Sequence, residues 1–170
     1  MDTSGLIVRA ASPDDAPALA ALYGWHVRHG VGTFEEVPPD PAEMAARVAR
    51  IQAARLPYLV AEVAGTLAAF ASAAPYKDRS GYRFTAEDSV YVADGHQGRG
   101  LGRTLLSAVI ERCRERGVRQ LIAAIGDSEN AASIGLHHAL GFHTAGVLRR
   151  VGFKHDRWLD VVFMQRELGS

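Results

Sequence analysis

Glu87-Asp88-Ser89-Val90-Tyr91-Val92-Ala93-Asp94-Gly95-His96-Gln97-Gly98-Arg99-Gly100-Leu101-Gly102 reads as a strand, a polar turn and a glycine-rich loop that opens a helix. Ser89 to Val92 carries the β-branched and aromatic content of a strand. Asp94-Gly95 interrupts it. From Leu101 to Arg116 apolar residues then recur at helical spacing, at Leu101, Leu105, Val109 and Cys113. Gly98, Gly100 and Gly102 therefore fall where a helix begins. Unpaired N–H groups and the positive end of the helix dipole meet there, an arrangement that favours a phosphate.

Spacing excludes two common phosphate sites. A P-loop needs Gly-x4-Gly-Lys-Ser/Thr, whereas Gln97 stands at its first glycine and Arg103 at its lysine. A dinucleotide fingerprint needs Gly-x-Gly-x-x-Gly with an acidic residue about 20 positions on, and the next strand, Leu121 to Ile125, has no carboxylate. What remains is Gln-x-x-Gly-x-Gly, at Gln97, Gly100 and Gly102, directly after a Val-Tyr-Val strand.

The composition is that of one globular domain, residues 1–170, with 48% hydrophobic and 22% charged residues. Nineteen basic side chains balance nineteen acidic ones, so no global charge draws the chain to nucleic acid or to an anionic membrane. Its single cysteine, Cys113, lies on the apolar stripe of its helix and reads as a buried small hydrophobe in a reducing compartment. Met1 to Gly5 lacks the basic start and apolar core of a signal peptide, and no apolar run reaches the ~20 residues of a membrane span. The expected location is the cytoplasm.

In chain order, Leu6 to Ala10 is a first strand, and Ser12-Pro13-Asp14-Asp15 starts a helix that runs to about His29 and ends at Gly30. Asp40 caps a second helix to about Arg55, with Glu43 placed to close a capping box. Tyr58 to Val63 and Thr66 to Ala73 form a hairpin across Ala64-Gly65. Pro75 to Thr85 is a polar and aromatic loop. Gln120 to Ile125 reads as a strand buried on both faces. Asn130 caps a helix to Leu140, stopped by Gly141. His143 to Val151 and Asp160 to Arg166 are final strands around a Gly152 to Leu159 loop. The fold class is mixed α/β in one domain.

The Gln-x-x-Gly-x-Gly loop after a Val-Tyr-Val strand resembles the acyl-CoA loop of the GCN5-related N-acetyltransferases (GNAT). The acyl transfer from a thioester to an amine which that resemblance implies requires positioning, removal of an ammonium proton and stabilisation of an oxyanion. Glu87, opening an otherwise apolar strand, is the first candidate base; a solvated edge carboxylate is the alternative. Asn130, Ser133 and His137 share one side of the fourth helix. If that side faces the glycine loop, His137 serves as a base, as an acid toward the departing thiolate, or as a structural group. The other histidines show no ligand spacing, and no metal site is expected.

The Gln97 to Gly102 loop carries the resemblance to the GNAT family. Val60-Ala61-Glu62-Val63, Glu87 to Val92, Leu136-His137-His138-Ala139-Leu140-Gly141-Phe142 and Lys154-His155-Asp156-Arg157-Trp158-Leu159-Asp160-Val161 narrow the resemblance to its phosphinothricin and methionine sulfoximine branch. That implies a GNAT acyl-CoA N-acyltransferase fold, with a mixed, mostly antiparallel central sheet flanked by helices, and acetyl-CoA as cosubstrate. It implies Glu87 as base and His137 as an auxiliary or thiol-side group. The backbone of Val90, Tyr91 and Val92 would hold the pantetheine arm. Gln97, Gly98, Arg99, Gly100, Leu101 and Gly102 would hold the pyrophosphate, with Asn130 and Ser133 reaching the cofactor from the fourth helix. Tyr76, Lys77, Arg79 and Arg83 would line the amino-acid pocket with Phe34 as a further wall; which of Lys77, Arg79 and Arg83 takes the carboxylate is open. Homodimers are the habit of the branch, so a second copy is the expected partner. Asp156 departs from the branch's usual glycine, and Tyr76 from its usual tryptophan. Acetylation of another amine, such as a protein N-terminus or a polyamine, and a CoA sensor without catalysis are the competing functions.

Overall fold

The computed structural model describes residues 5–169; residues 1–4, on which the signal-peptide reading mainly rests, lie outside the described residues. Eleven helices and strands follow in the order β1 (Leu6–Ala10), α1 (Ala16–His29), α2 (Pro41–Ala53), β2 (Tyr58–Val63), β3 (Thr66–Pro75), β4 (Thr85–Val92), α3 (Leu101–Glu115), β5 (Gln120–Gly126), α4 (Ala131–Ala139), β6 (His143–Lys154) and β7 (Arg157–Glu167). The strands form one sheet ordered β1-β2-β3-β4-β5-β7-β6. Only β4 and β5 are parallel; every other pair is antiparallel. The mixed, mostly antiparallel sheet expected from the sequence is the one found.

Local chemistry explains the elements. A short 3₁₀ turn at Pro13–Asp15 leads into α1, and the Ser12 N–H donates to Asp15 Oδ2 at 2.7 Å. At α2, Asp40 Oδ1 accepts from the Glu43 N–H. The Glu43 carboxylate turns to Arg47 Nε at 2.9 Å instead of reaching back, so the expected capping box is only half built. Ala64 and Gly65 both take positive φ, 49° and 77°, the two-residue turn of a tight hairpin.

Alternation along the strands sorts two cores. One face packs Leu59, Ala61, Ala71, Ala86, Leu121, Ala123 and Ile125 under α3, with Leu105, Leu106, Val109 and Cys113 opposite. The other packs Tyr58, Val60 and Phe70 under α1 and α2. Tyr91 stands edge-on to Tyr23 in that second core, centroids 5.0 Å apart.

Three differences from the sequence reading stand out. β4 begins at Thr85, so Glu87 lies inside the central strand rather than at its opening. β5 is not buried throughout: Ile122 is half-buried and Ala124 exposed. The loop expected over Gly152 to Leu159 is mostly strand, because β6 and β7 run to a two-residue turn at His155-Asp156, φ 51° and 57°. Asp tolerates this left-handed region better than most residues, which accounts for a carboxylate where the branch has glycine.

The segment between α1 and α2 is tied across the sheet to this last hairpin. The buried Lys154 ammonium donates to the Thr33 carbonyl at 2.7 Å, and the Phe34 ring lies on Gly152, where an added Cβ would come within 2.2 Å of it. Gly152→Ala must therefore displace the ring. A loss of about 1–3 kcal/mol is expected from overpacking, read as a lower midpoint in denaturant unfolding; an unchanged midpoint would show that the ring yields freely.

Candidate active site

Beyond the Asp88–Ala123 pair, β4 and β5 stop pairing. Val90, Tyr91 and Val92 keep their β3 partners, Ala71, Phe70 and Ala69, but present a strand edge on the β5 side. A cleft of about 560 Å³ opens at this fork, lined by Asp88 to Val92, Ala123 to Asp127, Gln97, Gly102, Asn130, Ser133 and His137. Its size lies in the range of small-molecule sites. His26 reaches in from α1 and donates from Nε2 to the Val92 carbonyl at 2.8 Å.

One end of the cleft is the start of α3. Gly100 caps that helix with φ 82°, a conformation open to glycine at no steric cost. At Gly102, an added Cβ would meet Leu136 Cδ2 at 3.3 Å and the Val90 and Val92 methyls at 3.7 Å, so this glycine allows α3 to sit close to β4 and α4. Gln97 and Gly102 line the cleft, Gly98 and Arg99 are exposed, and Leu101 is buried as the first rung of α3. A strand edge leading to a helix N-terminus can hold an amide-bearing arm that ends in a pyrophosphate.

The wall opposite β4 is α4. Asn130 Oδ1 caps it by accepting from the Ser133 N–H at 3.2 Å, and Asn130 Nδ2 points to the Gly126 carbonyl. His137 is the one fully buried residue of this helix. Its Nδ1 donates to the Ser133 carbonyl at 2.7 Å, and its Nε2 meets Asp88 Oδ1 at 2.9 Å. Burial alone would keep this ring neutral. The Asp88 hydrogen bond and charge, with the Ser133 carbonyl, outweigh that and raise its pKa above the usual imidazole value. Burial likewise raises the Asp88 carboxyl, against the pull of His137. Asp88 was not singled out by the sequence reading, nor was His26. Period two already put Asp88 on the face opposite Glu87, whereas nothing before α1 docks could place His26.

Glu87 therefore does not line the same wall as His137. It shares the α1–α2 face with Ser89 and Tyr91, about 7 Å along the strand from Ser89 by strand rise. Ser89 and Tyr91 also line a second cavity of about 220 Å³ with Tyr23, Glu35 and Arg47. Glu87 is half-buried, and burial, then Asp88, raises its pKa, while Lys77 opposes the shift.

The remaining sequence candidates are spread out. Tyr76, Lys77, Arg79 and Arg83 lie in the loop before β4. The Lys77 ammonium sits 5.1 Å from the Tyr76 ring centroid, and Tyr76 stands edge-on to Tyr82. Arg83 lies over Phe84 at 4.6 Å and donates to the Ser80 carbonyl; Arg79 is exposed. Phe34 packs near Gly126, at the far end of β5, so a single chain does not bring it together with Arg83. Cys113 is fully buried, and burial pushes its thiol up to about 12, which suits a core residue and not a nucleophile. Among the described residues no group of three or more His, Cys, Asp or Glu side chains is placed to hold a metal, and no helix is long and apolar enough to cross a membrane.

The model of the Acetyltransferase (GNAT) family matches residues 19–142. The chain belongs to this family. It is 56% identical to a phosphinothricin N-acetyltransferase of Alcaligenes faecalis, over 96% of this chain and 83% of that one. It is 39% identical to an L-methionine sulfoximine/L-methionine sulfone acetyltransferase of Salmonella typhimurium, over 96% and 95%. The crystal structure of a phosphinothricin acetyltransferase from Sinorhizobium meliloti in complex with acetyl-CoA superposes with a TM-score of 0.93 at 42% identity, covering 96% of this chain and 89% of that one. The chain is an acetyl-CoA-dependent N-acetyltransferase with the GNAT fold.

A Gly100→Val substitution tests the cleft. The β-branched side chain is strained at φ 82° and crowds the loop, so the acetyl-CoA dissociation constant measured by calorimetry is expected to rise about tenfold or more, some 1.4 kcal/mol. Unaltered affinity would remove this loop from the cofactor site.

Proposed function

We propose that this acetyltransferase acts on the α-amino group of a small amino acid or analogue: phosphinothricin, methionine sulfoximine or methionine sulfone. The single observation that carries the reading is the 56% identity, over nearly the whole chain, to a phosphinothricin N-acetyltransferase. Acetyl-CoA lies in the fork, its pantetheine arm along Val90 to Val92 and its pyrophosphate on the Gln97 to Gly102 loop, with Asn130 and Ser133 beside it. The acetyl group then reaches the end of the β4–β5 ladder, where the neutral acceptor amine attacks the thioester carbonyl carbon directly. The C–N bond forms, the C–S bond breaks, and coenzyme A leaves as a thiolate that takes up the proton shed by the new amide nitrogen. Glu87 takes the ammonium proton, through one water if the amine sits near Ser89. A raised carboxyl pKa suits this task, since a base works best when its pKa approaches the working pH. Lys77, Arg79 and Arg83 supply cations for the substrate carboxylate, Tyr76 and Phe34 its apolar walls. Arg is the better bidentate partner.

His137 enters this scheme as a thiol-side group, and its bonds to Asp88 and Ser133 fix its ring first. A homodimer is part of this reading, supported by Leu148, Val151, Phe153 and Trp158, which are about half exposed on the β6–β7 hairpin, an apolar strip suited to a second copy. Such a pocket incorporates the dispersed substrate residues if the partner completes it. A cytoplasmic enzyme of this kind would confer herbicide resistance on its host.

Thiol release from acetyl-CoA across L-amino acids, the three analogues and a polyamine tests the substrate class. Turnover with the tetrahedral phosphorus and sulfur analogues is expected; turnover with the polyamine alone would transfer the same chemistry to another amine. Glu87→Gln should lower kcat more than about tenfold, a loss above 1.4 kcal/mol in the transition state, with acetyl-CoA affinity retained. Because Glu87 must be ionised to act and its pKa is raised, kcat/KM should fall with decreasing pH at a point above the ordinary 4.5. That limb should vanish in the Gln variant. Light scattering at the mass of two 18.3 kDa chains checks the dimer, and Trp158→Glu should shift it to one.

A further inference from the structure

The fourth helix is held in an unusual way. Of its nine residues, only His137 is fully buried, while Ile134, Leu136 and, just past the helix, Leu140 pack against the core with part of their surface still in water. The docking of this cleft wall therefore leans on a polar contact. His137 and Asp88 side chains are 3% and 1% exposed, and they meet at the last residue that β4 pairs with β5. The Phe142 ring stands edge-on to the imidazole, 5.0 Å between centroids. With acceptors at both ring nitrogens, the imidazole can use two N–H donors at once. Asp88 Oδ2, equally buried, has no hydrogen-bond partner. A buried carboxylate with one oxygen unsatisfied is costly, so this pair is poorly explained as a device for stability alone.

We propose that Asp88 is a positioning residue of the transfer site: through its hydrogen bond to His137 it holds α4 against the fork of the sheet at the base of the acetyl-CoA cleft. The proposal rests on the assignment of that cleft to acetyl-CoA. Asp88 borders the cleft with its side chain only 1% exposed; it acts through the ring and through the helix that carries Asn130 and Ser133. The ionisable groups around the pair are few. Glu87 adjoins Asp88 on the other face of β4, and Cys113 feels the Asp88 charge from α3. β5 brings no ionisable side chain, and Ser133 supplies only its carbonyl to the ring. His137 is thus the one ionisable side chain hydrogen-bonded to Asp88. The upward shift of its pKa depends on that carboxylate.

Two variants test this, with steady-state kinetics and the His137 ring signals followed by NMR against pH. Asp88→Ala removes the acceptor: the KM and dissociation constant for acetyl-CoA are expected to rise tenfold or more, with a smaller change in kcat. Asp88→Asn keeps an oxygen for Nε2–H but removes the charge: KM should stay within about threefold, while His137 titrates at least one pH unit lower than in the parent protein. Parent-like acetyl-CoA binding by a folded Asp88→Ala protein would overturn the proposal, as would an unmoved His137 titration in Asp88→Asn. If Asp88→Ala does not fold, Asp88→Ser, smaller and uncharged, takes its place: parent-like acetyl-CoA binding by the folded Ser variant would overturn the proposal. Should Gly100→Val and Asp88→Ala both bind acetyl-CoA normally, the cleft assignment itself fails. If only Asp88→Ala does, the positioning role fails and the cleft stands.

Discussion

The end of the β4–β5 ladder at Asp88 and Ala123 is the constraint from which the site follows. Two parallel strands cannot be joined by a hairpin and need a crossover, here α3, whose first turn lands beside the end of β4. Because the strands part before they end, the Val90 to Val92 edge has no strand partner on the β5 side, the Val92 carbonyl being met by His26 instead, and it lies close to a helix N-terminus. Buried backbone groups demand partners, and a ligand with amides and phosphates satisfies both requirements. Had the ladder run on to Val92, the same sequence would give a complete sheet and no cleft.

Much of this was legible before any coordinates. The Val-Tyr-Val strand, the loop glycines and the apolar repeat from Leu101 each obey a local rule, so their juxtaposition could be read directly. Local rules also gave the Ala64-Gly65 turn and the Asn130 cap. In the C-terminal third they gave both strands but took Gly152 to Leu159 for a loop, because Arg149, Arg150 and two glycines break the alternation of β6. There the hairpin is set by Asp160, which accepts from the Arg150 N–H and from Arg149 and Ser128. The contact between Asp88 and His137 spans forty-nine positions, and no periodicity announces such a pair. The same holds for the reach of His26 to Val92 and for the separation of Phe34 from Arg83, which depend on how whole layers dock.

Electrostatics divides the central strand by face. Glu87 and Asp88 are consecutive, yet one looks toward α1 and α2 and the other toward α3 and α4. Each carboxyl pKa is raised mainly by burial, but their surroundings differ. Glu87 is half-open, with Lys77 favouring its charge. Asp88 is sealed and paired. Adjacent carboxylates of one strand are thereby given separate surroundings by the two-residue pleat alone.

The strand order also dictates when this molecule can be finished. β7, the last strand in the sequence, lies between β5 and β6 and is the only neighbour that ties β6 to the sheet. As the chain leaves the ribosome, β5 must keep a bare edge until residues 157–167 emerge, and the β6 segment, though already made, has nothing to join. A nascent chain stalled near residue 155 would hold an almost complete cofactor loop on an unclosed sheet, with a strand edge open to other chains. Loss of even the final dozen residues would strand β6 as well, so the C-terminus is the last place where this fold tolerates a cut.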